Sequence, residues 1–218
     1  MIANPAASGV SNIFTLRRPR ISGLSDFYSS FLRDRICEND SQKFGPDYAR
    51  QLKRRQGRLG DIWHLDEVFI RINGKQQYLW RAVDQDGDVI DILVQRRRDQ
   101  RAAQRFFRRL LRGQGNKPLL IITDQLRSYS AALRAILWGV AHNAERYANN
   151  RAEVSHQPTR QRERHMRRFK SSGQAQRFLS LHGVVQNLFR VGRHLLRSTN
   201  HRLLRARSFA VWQKVTAA

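Results

Sequence analysis

The chain has 218 residues, of which 41 are Lys or Arg and 17 are Asp or Glu, so its formal net charge is +24. Its apolar fraction of 40% is enough for one core of ordinary size, which excludes a wholly disordered basic tail. All but six of the 41 basic residues are Arg, whose planar guanidinium suits phosphate oxygens. Nucleic acid is therefore the expected partner.

The cysteine content and the apolar runs exclude several other classes. Cys37 is the single cysteine, which rules out a disulfide framework and a thiolate-rich zinc site, and the cytoplasm is the expected compartment. No apolar run approaches the roughly 18 to 20 residues that span a bilayer, and the N-terminus lacks a basic start followed by an apolar stretch. We therefore expect neither export nor a membrane partner.

Three consecutive strands are predicted first. Residues 62–72, IWHLDEVFIRI, are rich in aromatic and β-branched residues, and an Asn-Gly turn separates them from a second strand over 76–84. A second turn at Asp86-Gly87 leads to a third strand over 88–95. The pattern predicts an antiparallel meander.

A helix and a fourth strand follow the meander. Asp99 stands at the N-cap position of an amphipathic helix that we expect to close at Gly113. The apolar run 119–123, LLIIT, predicts a strand buried on both faces, and it ends at Asp124. The element order is thus β-β-β-α-β.

The rest of the chain is predicted to be mainly helical. Residues 130–137 are typical of a helix, residues 138–143 of a short strand, and the final third of further helices. Pro158 predicts a break, because proline removes a helical hydrogen bond.

Two aspartates occupy positions that suggest chemistry. Asp66 lies among apolar neighbours in the first strand, where a carboxylate costs several kcal/mol unless it is paired or binds a cation. Asp124 ends the fourth strand. Carboxylates from adjacent strands, joined by one from a later helix, suit two Mg²⁺ ions about 3.5 to 4 Å apart. This layout predicts an α/β, ribonuclease-H-like fold: a central mixed sheet with the antiparallel meander and flanking helices.

Four segments carry a family resemblance from Lys43 to the C-terminus. They are WHLDEVFIRINGKQQYLWRAVDQDGDVIDILVQRRRD, LLIITDQLRSY, RYANNRAEVSHQ and RRFKSS, in this order and at family-like spacing. The chain resembles the small bacterial insertion-sequence transposases of the DDE type, in the group founded on insertion sequence six. Such enzymes use two Asp and one Glu to hold divalent metal while they cut and join DNA ends.

The resemblance assigns site residues one by one. It implies that Asp66, Asp124 and Glu153 are the catalytic metal ligands, and it favours Glu153 over Glu145 and Glu163 as the third ligand. The implied cofactor is Mg²⁺, as two ions, with Mn²⁺ as a substitute. The expected DNA contacts are Asn150, Arg151, His156, Arg160, Arg164, Arg167 and Arg168.

Other prominent residues have simpler interpretations. Glu67 points to the opposite face of the strand from Asp66, so we expect it at the surface. The acids at positions 84, 86 and 88 bracket a tight turn, and Trp63 and Trp80 are expected to pack the sheet.

The implied function is transposition by metal-dependent cleavage and strand transfer, acting on terminal inverted repeats and target DNA as a homo-oligomer. We expect residues 1–42 to be an atypical segment, 43–60 a basic linker, and 61–218 the catalytic domain with C-terminal helices. Similar transposases usually carry a helix-turn-helix domain before the catalytic core, which reads the terminal inverted repeats. Residues 1–42 show no such pattern, so recognition of the terminal repeats is expected to be impaired. Two alternatives stay open: a nuclease of the same fold, and an inactive basic DNA-binding remnant.

Overall fold

The computed structural model describes residues 43–57, 59–145, 148–157, 169–190 and 196–217. They all belong to one unit, Glu38–Ala218. The predictions for residues 1–42 and for a break at Pro158 fall outside the described residues. Within the described ranges, no helix has both the length and the apolar content that crossing a bilayer requires.

The first three strands form the predicted meander. They are β1 (Ile62–Ile72), β2 (Lys75–Asp84) and β3 (Val89–Gln95), and each pairs antiparallel with the next. The β1–β2 turn has positive φ at both central residues, 49° at Asn73 and 73° at Gly74, as a two-residue hairpin turn requires.

The helix that follows β3 is α2 (Gln100–Gln114); a helix before β1, α1 (Gly45–Arg55), is described below. Helix α2 begins where the sequence predicts and ends later than the predicted end at Gly113. The Asp99 carboxylate accepts a hydrogen bond from the Ala102 N–H at 2.8 Å, which caps the first turn. The helix runs past Gly113 because Gly115, with φ of 71°, makes the left-handed C-cap instead.

The fourth strand, β4 (Leu120–Thr123), is less buried than predicted. Ile121 and Thr123 are buried, but Leu120 and Ile122 are half-buried and Leu119 is 72% exposed. The prediction of burial on both faces is therefore wrong: Ile121 packs in the core with Phe106 and Phe107, whereas Leu120 and Ile122 on the other face are only half-buried.

Helix α3 (Arg127–Ile136) and the short strand β5 (Ala141–Asn143) follow, both as predicted. The five strands form one sheet in the order β3-β2-β1-β4-β5. The β1–β4 and β4–β5 pairs are parallel, whereas the meander is antiparallel. This order and these directions are those of the ribonuclease-H-like fold, which confirms the predicted fold class.

Helices cover both faces of the sheet. On one face, side chains of α2 and α3 such as Phe106, Phe107 and Tyr129 pack with Leu65 and Trp80. The other face packs against α5 (Ser172–Phe189), as Phe178 and Leu179 meet Leu79 and Ile92. Trp63 and Trp80 are 3% and 0% exposed, so their predicted packing role is confirmed. A further C-terminal helix among the described residues is α6 (Ser198–Thr216). The short helix α4 (Asn150–Ser155) contacts β1 and β2.

The segment expected to be a linker contains a helix, α1 (Gly45–Arg55). Its polar sequence buries only Gly45, Ala49 and Leu52, and it packs against α5 and α6. Charge dominates the composition of this segment, but those few small and apolar residues are enough to dock it.

Candidate active site

The register between β1 and β4 brings the two predicted aspartates together. Leu65 pairs with Thr123 in the parallel ladder, so Asp66 and Asp124 are the next residues on two neighbouring strands. Oxygen atoms of Asp66, Glu67 and Asp124 all lie within 4.8 Å of one another. We call these three residues the site cluster; in the described part of the chain it is the group of acids with metal-ligand spacing.

Asp66 is buried and is held from the side of α4. Its residue exposure is 9%, and its Oδ2 lies 3.3 Å from the Nε2 of His156, which is 2% exposed. Just before α4, the Asn149 side-chain amide donates to the Leu65 carbonyl at 2.6 Å. The start of α4 is thus tied to the β1 backbone next to Asp66. His156, predicted from the resemblance as a DNA contact, faces the carboxylate and not the surface.

Asp124 is the more open of the two aspartates, with 34% of its side chain exposed. Its Oδ1 accepts a hydrogen bond from the Leu126 N–H at 3.1 Å, which fixes the turn into α3. Thr123 Oγ1 donates to the Asp124 carbonyl at 2.7 Å and also lies 2.9 Å from His142 Nε2. Burial raises the pKa of Asp124, and the nearby charge of Asp66 raises it further, although the Leu126 N–H works against this.

Glu67 is the site residue that the sequence analysis missed, because it was expected at the surface. It does lie on the other face from Asp66, but α3 covers that face, and the Glu67 side chain is 0% exposed. Its Oε1 accepts from Arg98 Nε at 2.5 Å, and its Oε2 accepts from the Tyr129 hydroxyl at 2.5 Å. Burial raises the pKa of Glu67 to about 7, against the lowering effect of the Tyr129 hydrogen bond. The sequence of β1 has apolar residues on both of its faces, which is typical of a strand covered on both sides. This pattern was the signal that could have revealed the burial of Glu67.

A family comparison identifies the domain that contains the site cluster. A family model described as a DDE domain matches residues 60–192. The chain belongs to the DDE family of insertion-sequence transposases. The family expectation from the sequence is confirmed, and the matched DDE domain includes all three predicted metal ligands.

Individual relatives match over part of their length. The transposase for insertion sequence-like element IS431mec of Staphylococcus aureus strain Mu50 / ATCC 700699 is 32% identical over 120 residues, which are 53% of this chain and 53% of that protein. The same values hold for the Staphylococcus aureus transposase for insertion sequence element IS257 in transposon Tn4003. The chain spans about half the length of the curated relatives it matches.

Two solved structures are similar to part of this chain. The HTLV-2 integrase catalytic core domain in complex with magnesium (trimeric form) is 14% identical, with a TM-score of 0.43, and the match covers 63% of this chain and 90% of that chain. The catalytic core domain of BIV integrase is 11% identical, with a TM-score of 0.39, covering 60% and 84%.

The remaining predicted site residues divide into three groups. Glu153 and Arg151 lie in α4, whose backbone the structure describes, while their side chains lie outside the description. Asn150 is the exposed first residue of the same helix. Four of the predicted DNA contacts lie outside the described residues: Arg160, Arg164, Arg167 and Arg168.

The donor atoms of the site cluster fit a hard divalent cation. All of them are carboxylate oxygens, the ligand type that Mg²⁺ and Mn²⁺ prefer. Asp66 and Asp124 each have an oxygen that does not accept a backbone hydrogen bond in the described structure. Glu67 differs, because both of its oxygens already accept hydrogen bonds. The two aspartates are thus better ligand candidates than the glutamate beside them.

Proposed function

We propose that the chain is a DNA transposase that cleaves insertion-sequence ends and joins them to target DNA, with divalent metal as its cofactor. The observation that carries this proposal is the juxtaposition of Asp66 and Asp124 at the ends of the paired segments of β1 and β4. Membership in the DDE family supports it, because the implied chemistry needs two aspartates at one place. DNA ends, target DNA and a second copy of the chain are the proposed partners, in the cytoplasm.

We assign Glu153 as the third ligand from its place along α4. It lies four residues after Asn149, which is bonded to the β1 backbone, and three before His156, which is beside Asp66. Residues at these spacings share one face of a helix. This spacing, between two residues that flank α4 and contact β1, supports Glu153 as the proposed third ligand.

Each residue of the site has a separate proposed role. Bound Mg²⁺, proposed as two ions, would polarise a phosphodiester and generate a nucleophilic oxygen. Asp66, Asp124 and Glu153 would hold it. His156 would orient the Asp66 carboxylate, which it contacts. Asn149 would hold the start of α4 against β1 through its hydrogen bond to the Leu65 carbonyl. The net charge of +24 favours binding of the DNA backbone, and Asn150 and Arg151 on α4, with the Arg residues that follow, are the proposed phosphate contacts.

A cleavage and strand-transfer assay on DNA carrying the element's own ends tests the proposal. With Mg²⁺ or Mn²⁺, we expect the native chain to nick and join, and Glu153→Gln to lose at least about 100-fold in rate. Glu145→Gln is the matched control, because Glu145 is an exposed glutamate outside α4 and its loss should leave the rate unchanged.

The alternatives give different results in the same assay. Cleavage without joining would identify a nuclease of this fold. DNA binding that weakens with salt, without any metal-dependent reaction, would identify an inactive DNA-binding remnant. An active Glu153→Gln protein would contradict the assignment of the third ligand.

A further inference from the structure

Arg98 reaches into the site cluster from the loop between β3 and α2. Its Nε donates to Glu67 Oε1 at 2.5 Å, and its Nη2 lies 3.5 Å from Asp124 Oδ2. One guanidinium thus joins a carboxylate of β1 to the carboxylate that follows β4. It is the third of three consecutive arginines, Arg96 to Arg98.

Glu67 acts as a fixed anchor for this arginine. The Tyr129 hydroxyl occupies its second oxygen at 2.5 Å, and the ring of Tyr129 is buried against Trp80 and Phe107. A carboxylate with both oxygens accepting hydrogen bonds and no exposed surface has little freedom to rotate. The end of the guanidinium at Nε is therefore held tightly.

The contact with Asp124 is looser and more accessible. The distance of 3.5 Å is at the limit of a hydrogen bond, and the side chains of Arg98 and Asp124 are 42% and 34% exposed. Because Asp124 Oδ1 is bonded to the Leu126 N–H, Oδ2 is the oxygen left for a cation, and Arg98 is the cation beside it.

We propose that Arg98 is a positioning residue that serves as the internal counter-ion of Asp124, and that a divalent cation competes with it for Asp124 Oδ2. This inference rests on the proposed function, because it takes Asp124 as a metal ligand. Arg98 lowers the repulsion among the three carboxylates before metal arrives, and its positive charge opposes the metal at the same oxygen. Glu67 is then an anchor for Arg98 and not a ligand.

Isothermal titration with Mg²⁺ on the full chain tests the competition. Arg98→Gln should bind Mg²⁺ roughly tenfold more tightly than the native chain, because it removes a cation near the ligand oxygen. Arg97→Gln is the matched control: Arg97 is the preceding residue, 78% exposed, and 3.9 Å from Asp99 rather than beside the site cluster. It should leave the affinity unchanged. Equal affinities for Arg98→Gln and Arg97→Gln would overturn the inference.

Thermal unfolding gives a second readout that does not depend on activity. Without metal, Arg98→Gln should unfold at a lower temperature than Arg97→Gln, and added Mg²⁺ should raise its unfolding temperature more. Arg98→Lys keeps the charge but not the fork that reaches both carboxylates, so its Mg²⁺ affinity should lie between those of the native chain and Arg98→Gln. An Arg98→Lys affinity below the native value would overturn the competition even if Arg98→Gln failed to fold.

Asp124→Asn separates this inference from the proposed function. If Asp124→Asn binds Mg²⁺ as the native chain does, Asp124 is not a ligand, and both proposals fail. If Asp124→Asn loses Mg²⁺ binding while Arg98→Gln binds no more tightly than the native chain, only the role of Arg98 fails.

Discussion

Two groups of three acids lie on the same sheet and are stabilised in opposite ways. The site cluster of Asp66, Glu67 and Asp124 is held mainly by side chains, including those of His156 and Arg98. In the turn cluster, which we define as Asp84, Asp86 and Asp88, backbone N–H groups hold the Asp84 carboxylate.

Asp84 shows how complete that backbone contact is. It is 2% exposed, and its Oδ1 accepts from the N–H groups of Asp86 and Asp88, at 3.0 and 2.8 Å. Its Oδ2 accepts from the Gly60 N–H at 3.1 Å. The buried carboxylate of the turn cluster thus holds the turn, whereas Asp66 and Asp124 of the site cluster each have an oxygen that accepts no backbone hydrogen bond in the described structure. The comparison teaches that acids grouped in sequence do not make a metal site; the partners of their oxygens decide.

The largest effect expected from this comparison is on metal binding. Asp66→Asn and Asp124→Asn should each lower Mn²⁺ affinity and the cleavage rate by at least about 100-fold, because each removes a charged ligand while nearly preserving shape. Asp86→Asn makes the same chemical change in the exposed part of the turn cluster and should change neither quantity. Titration calorimetry with Mn²⁺ and the cleavage assay measure both. An Asp86→Asn protein with impaired metal binding would erase the distinction.

A smaller effect is expected on stability, at the turn cluster. Asp84→Ala should lower the free energy of unfolding by about 2 to 4 kcal/mol, because three backbone N–H groups lose their acceptor. Asp86→Ala should change it by less than about 0.5 kcal/mol. Urea unfolding of the metal-free chain gives both values. If the two variants are equally stable, the turn is held by its backbone alone.

The smallest effect is a pH dependence at Asp88. Burial, together with the nearby charge of Asp84, raises the pKa of Asp88 from 3.8 to about 6, although Arg190 opposes this. A raised pKa means that the folded chain favours the protonated form of Asp88. The free energy of unfolding therefore falls as the pH rises from about 4 through 6 and Asp88 ionises in the folded chain. Asp88→Asn should therefore be more stable than the native chain at pH 7, by about 1 kcal/mol after allowance for solvent screening, and equal to it near pH 4. Unfolding curves of both proteins at several pH values test this prediction. Equal stability of Asp88→Asn and the native chain at pH 7 would contradict it.

The elements that carry Asp66 and Asp124 were predictable because local signals define them. The Asn-Gly turn, the Asp99 cap and the apolar run before Asp124 each act over a few residues. Strand alternation also placed Glu67 on the face away from Asp66.

The missed features depend on distant residues. Whether Glu67 is exposed is decided by Tyr129, 62 positions away, and Arg98 pairs across 31 positions with Glu67. Nothing in the local sequence distinguishes Arg98 from Arg97. In the structure, however, Arg98 contacts Glu67 and Asp124, whereas Arg97 lies 3.9 Å from Asp99. The helix Gly45–Arg55 is a different case, because its sequence does carry local helix signals: a proline in the first turn, Asp47 beside it and basic residues in the last turn.

The hydrogen bond from Asn149 to the Leu65 carbonyl has a consequence for the order of events during synthesis. It joins residues 84 positions apart, so β1 leaves the ribosome long before the helix that fastens beside it. A chain that has emerged only as far as β4 can pair its strands, but His156 and α4 are not yet available to it. The growing polypeptide therefore carries Asp66 and Asp124 before Asn149 and His156 can contact β1, because those two residues are made more than half-way along the sequence.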